Sequence, residues 1–66
     1  MTEAAIEAVN TALGAYTRAD ATGSAEDQIR AYNRLCDACF ANGCPLDVAE
    51  PADWASFHVM QWLVAA

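Results

Sequence analysis

A chain of 66 residues, 56% of them hydrophobic, has room for a single domain, 1–66, and none for a second. Nine carboxylates face three arginines and no lysine, a net charge of −6, so the surface repels nucleic acid phosphate instead of binding it. The apolar content, with only 18% charged residues, also excludes an intrinsically disordered acidic chain.

Periodicity and punctuation predict three helices and no strand. In the first, Thr2 is the N-cap and Glu3 lies in the first turn, while Ile6, Val9, Leu13 and Tyr16 recur at helical spacing on one stripe. Gly14 falls inside this helix, where it costs about 1 kcal/mol relative to alanine, and it is read as a point of tight helix packing. Gly23 then ends the helix and Ser24 caps the next, with Asp27 three residues on in capping-box position.

The second helix is expected to reach about Ala41. Ile29, Tyr32, Leu35, Cys36, Cys39 and Phe40 share its apolar face; Glu26, Arg30, Arg34 and Asp37 form a solvated ladder of charges on another. Asn42-Gly43 stops it. Residues 44–53 read as a connector with room for one short helical turn. Pro51 suits the first position of a third helix running to the end of the chain. That helix is apolar all round: Trp54, Phe57, Met60 and Val64 are expected to face the first two helices, leaving Val59, Trp62 and Leu63 on the outside. The fold class is therefore all-α, a small three-helix domain. A core of this size rarely supplies more than about 3–5 kcal/mol, so outside help is expected, the available sources being a metal, a disulfide or a second subunit.

Glu3 and Glu7 stand where a secretory signal carries basic residues, and the thirteen residues from Trp54 to Ala66 are too few for a bilayer-spanning helix, which needs roughly 20. A cytoplasmic location with Cys36, Cys39 and Cys44 as free thiols is the expectation. The spacing of those cysteines and His58 superficially suits zinc, but Cys36 and Cys39 lie on an apolar helix face and a second ligand pair is missing, so core packing is the expected role and no cofactor or metal is expected. His58, flanked one turn away by Trp54 and Trp62, lacks a second positioned acid–base group. Ser24 is spent on capping, and Ser56 lacks a nucleophile-elbow context. The chain is not read as an enzyme.

The charges are unevenly divided. Residues 1–34 hold five acids and all three arginines, whereas residues 35–66 hold four acids, Asp37, Asp47, Glu50 and Asp53, and no base. Asp47, Glu50 and Asp53 repeat every third residue. If helical, they are spaced about 4.5 Å along the axis, and if extended about 10 Å, a range that brackets successive phosphates. Ordinary solubility charge is the alternative reading.

A very short, lysine-free, acidic, all-helical chain without catalytic residues is similar to the small inhibitors made by phages and mobile elements, in particular anti-CRISPR proteins directed at type I effector complexes. The similarity lies in size, charge and helical pattern across the whole chain, and no family residue is carried over. It implies a target class: a CRISPR effector complex whose DNA-binding surface is occluded or offered a DNA mimic. The sequence-level expectation is a non-enzymatic inhibitor that binds a basic nucleic-acid-binding surface of a partner through Asp37, Asp47, Glu50, Asp53, Trp62 and Leu63, touching neither nucleic acid nor membrane. The alternative is a helical interaction module that dimerises or docks through its C-terminal helix.

Overall fold

The computed structural model describes residues 2–65, and within them three helices: α1 (Glu3–Thr22), α2 (Ala25–Ala41) and α3 (Pro51–Ala65). The expected continuation of the third helix to Ala66 lies outside the described residues.

Local chemistry sets most of the boundaries. Thr2 Oγ1 accepts the Ala5 N–H at 3.1 Å and Ser24 Oγ accepts that of Asp27 at 3.3 Å, so α1 and α2 both start on hydroxyl caps. The two-residue link Gly23-Ser24 turns α2 back along α1, which brings the Tyr16 and Tyr32 rings to a centroid distance of 5.4 Å. Gly23 serves this turn by its small size. Its φ of −86° is open to any residue, but a Cβ there would sit 2.7 Å from the Ala19 carbonyl oxygen and 3.1 Å from Asp27 Cβ. Gly14 departs from expectation: the nearest atom to a Cβ at that position is the Arg18 guanidinium at 3.4 Å, so no neighbouring helix demands a glycine there.

The end of α2 is built differently. Gly43 adopts φ +99°, the left-handed region that a side chain disfavours. The turn this makes lets the Cys44 N–H reach back to the Cys39 carbonyl at 3.0 Å, while Asn42 donates its own N–H to the same oxygen at 3.0 Å. The Asn42 side chain satisfies the Ala38 carbonyl at 2.7 Å. Cys39 and Cys44 are both buried, the apolar contact that accompanies such a cap. The connector that follows contains no helical turn. It makes one β-turn, closed by Val48 N–H donating to the Pro45 carbonyl at 3.1 Å.

Glu50 fixes the start of α3. Its carbonyl accepts the Asp53 and Trp54 N–H groups at 3.1 and 3.3 Å, and its carboxylate accepts the Ala52 N–H at 3.1 Å. Pro51 is buried as the first helical residue, and its carbonyl receives the Cys39 thiol at 3.6 Å. With that end anchored, the helical repeat carries Ala55 and Val59 inward after Pro51.

Val9, Leu35, Cys39, Cys44, Ala55 and Val59 form one buried cluster to which every helix contributes, with Leu13, Tyr16, Val48 and Trp54 packed at its edge. Leu35 is its largest fully buried side chain. α3 keeps Trp54 against the core and Leu63 exposed, as expected, but exchanges the other expected positions. Val59 is buried and Trp62 half-buried, whereas Phe57, Met60 and Val64 are exposed. Val9 of α1 and Leu35 and Cys39 of α2 fill the centre, and α3 enters it through Ala55 and Val59 with Trp54 at the edge.

Candidate functional site

Two features of the surface stand out, a set of exposed acids and an apolar groove. Asp37 lies in the second half of α2, Asp47 in the connector and Asp53 in the first turn of α3, all three exposed. Among the described residues the one ion pair is Arg30–Glu26, 2.7 Å, on the first half of α2. Of the expected four-residue ladder only this rung forms; Arg34 lies instead along a shallow groove beside Glu7, Ala8 and Thr11 of α1. Among the described residues, the carboxylates of the second half therefore stand without a cationic neighbour in ion-pair range.

Glu50 has a different environment from the other three. It is half-buried, and one carboxylate oxygen accepts both the Ala52 N–H and the Tyr32 hydroxyl, each at 3.1 Å. This ties the start of α3 to the middle of α2. The Tyr32 hydroxyl is pushed up to about 12, first by removal from water, then by the hydrogen bonds to Glu50 and Cys36. Glu50 thus spends its charge inside the fold, on a backbone donor and a phenol.

The second feature lies along the outer side of α3, where Phe57, Met60, Gln61, Val64 and Ala65 line an open apolar groove. Leu63 is exposed beside it. Trp62 does not join this side: it is half-buried on the inner half of the helix. Helical spacing places Phe57, Met60 and Val64 on one side of α3, and that side faces outward instead of toward α1 and α2. The signal that identifies them is the i, i+4, i+8 series from the buried Pro51.

The three thiols are free. Cys39 is pushed up to about 11 by burial, with the neighbouring Cys44 and Cys36 adding to the shift, and burial raises Cys44 likewise. Both sulfurs face carbonyls, Cys39 that of Pro51 and Cys44 that of Pro45. Protonated thiols are poor nucleophiles and poor metal ligands, and a buried cysteine packs as a small hydrophobe. Among the described residues no three His, Cys, Asp or Glu side chains are grouped to share a metal ion. His58 is half-buried against aromatics, its ring centroid 4.5 Å from that of Trp54 and 5.5 Å from that of Phe57, the latter edge to face. No helix among the described residues is long and apolar enough to cross a membrane.

No protein family matches the chain, and no curated protein or solved structure does so either.

Proposed function

We propose that the chain is a non-enzymatic acidic inhibitor that occupies a basic nucleic-acid-binding surface on a partner complex, a CRISPR effector complex being the target class its size and charge suggest. The observation that carries this reading is the set of exposed, unpaired carboxylates Asp37, Asp47 and Asp53 in a half of the chain without any base. Their role would be to engage arginines and lysines that otherwise hold phosphate, as a DNA mimic does. Each such contact at an exposed site is worth only about 1 kcal/mol, so several must act together and salt must weaken them.

The test is competition. Purified effector complex is incubated with target DNA and increasing amounts of the chain at low and high salt. The wild type is expected to displace DNA, less well as salt rises. The triple variant Asp37→Asn, Asp47→Asn, Asp53→Asn is expected to lose at least tenfold in potency while keeping its helicity. Glu50 is left untouched because of its place in the fold. Equal potency of variant and wild type would remove the acidic surface from the mechanism. A second reading, a module that docks through its C-terminal helix, is favoured by the exposed groove along Phe57, Met60 and Val64.

A further inference from the structure

We infer that the outer face of α3 is the seam of a homodimer in which two copies pair their third helices antiparallel about Met60. The inference rests on the α3 reading above and is independent of the acidic one.

Area is the first argument. Phe57 is 59% exposed, Met60 65%, Leu63 61% and Val64 82%. Against full areas on the order of 150–250 Å² for large side chains, these fractions leave roughly 500 Å² of apolar surface per copy along one side of one helix. Two copies bury about 1,000 Å², the lower bound for a specific interface, before the flanks of the helices contribute. The interior has need of it, since the buried hydrophobics that form the core among the described residues are only Ile6, Val9, Leu35, Cys39, Cys44, Ala55 and Val59. Single chains with so small a core commonly rely on association.

Charge selects the occupant and the orientation. A chain of net charge −6 resists self-association wherever carboxylates meet, and α3 beyond Asp53 carries no acid or arginine. It is the extended surface on which a second copy can approach without placing acid against acid. Beyond Asp53 a cationic partner would find no carboxylate to fix its position. Asp53 shares the outer stripe with Phe57, Met60 and Val64, at the helical intervals i, i+4, i+7 and i+11. A parallel pair would set the two Asp53 carboxylates side by side. An antiparallel pair centred near Met60, with Phe57 of one copy beside Val64 of the other, moves them to opposite ends of the seam, roughly 20 Å apart at 1.5 Å per residue.

Sedimentation equilibrium of the full chain across about 1–500 µM, the range that resolves a micromolar contact, tests the seam. Wild type is expected at twice the 7.0 kDa chain mass. Met60→Asp and Met60→Lys are each expected to weaken dimerisation at least tenfold with unchanged far-UV circular dichroism, because Met60 is 65% exposed and is not a member of the buried cluster. An equimolar mixture of the two variants is expected to restore the dimer, since each places its new charge opposite the other's. A wild type that stays at 7.0 kDa throughout overturns the inference. So does a wild-type dimer that neither variant weakens, or a mixture that remains monomeric. A monomeric wild type whose DNA competition is lost in Met60→Asp also overturns it and assigns the face to the target instead.

Discussion

Glu50→Ala is the substitution that most directly separates a structural carboxylate from a surface one. It removes an oxygen that accepts the Ala52 N–H at the start of α3 and the Tyr32 hydroxyl of α2, both at 3.1 Å. Loss of a capping acceptor costs about 1 kcal/mol, with about 2 as an upper value, and loss of a negative charge at a helix N-terminus adds about 0.3–1. The sum is about 1–2 kcal/mol without any allowance for Tyr32. For a chain of this length each kcal/mol lowers Tm by roughly 4–8 °C, so the variant is expected to melt about 5–15 °C below wild type. Glu50→Gln keeps an oxygen acceptor in place and is expected to lose less than half as much. The assay is thermal and urea unfolding followed by far-UV circular dichroism. A cycle with Tyr32→Phe measures the α2–α3 coupling, expected at about 0.5–1.5 kcal/mol for residues in direct contact. An exposed surface position changes stability by no more than about 0.5 kcal/mol. A Glu50→Ala variant within that margin, or a cycle with no coupling, would refute the reasoning.

Gly14→Ala is expected to stabilise the chain by about 0.5–1 kcal/mol, because only the movable end of Arg18 lies near the added methyl; a urea midpoint at or below wild type contradicts this. Leu35→Ala, at the centre of the buried cluster, is expected to cost about 2–5 kcal/mol, and a loss below 1 kcal/mol would mean that the cluster is not packed as described. Stability is expected to fall in alkali. Cys39 and Tyr32 are raised from 9.0 to about 11 and from 10.0 to about 12, so the unfolded chain releases these protons first. Their contribution is fully present below pH 9 and is lost as pH climbs to about 12. Tyr32→Phe is expected to flatten the upper part of that decline, and urea midpoints that stay level from pH 8 to about 11 would contradict it.

Local signals made the helices legible. Thr2 and Ser24 are hydroxyls directly before helical patterns, Asn42-Gly43 provides a left-handed stop, and Pro51 sits where its missing N–H costs nothing. Each acts within a few residues, so sequence alone exposes it. The rotation of α3 was not legible, because the inward face follows from how Pro51 and Glu50 are held by Cys39 and Tyr32, residues of another helix. Helical spacing groups Phe57, Met60 and Val64 on one side without saying which side faces in; the buried cluster takes Ala55 and Val59. Glu50 shows the same limit. Its three-residue interval from Asp47 and Asp53 groups it with exposed acids, yet its place directly before Pro51 is a capping position, and its bond to Tyr32 spans 18 residues. Of the glycines, Gly43 had its reason written in the stop signal. Gly23 is required by a carbonyl that only the folded turn brings near.

Cys39 holds both ends of the connector: its carbonyl receives the Cys44 N–H, and its sulfur faces the Pro51 carbonyl. The span between is thereby closed at its base by one residue, with Val48 as its inner peg against the cluster and Leu46 and Asp47 at its outer tip. Mutational drift at Leu46 and Asp47 is therefore mechanically insulated from the helices. Lengthening such a tip costs little, about 0.6 kcal/mol for each doubling of the loop. Evolution can rewrite the charge and reach of this tip while the three-helix frame stays as it is, so change at the tip and conservation of a minimal fold need not compete.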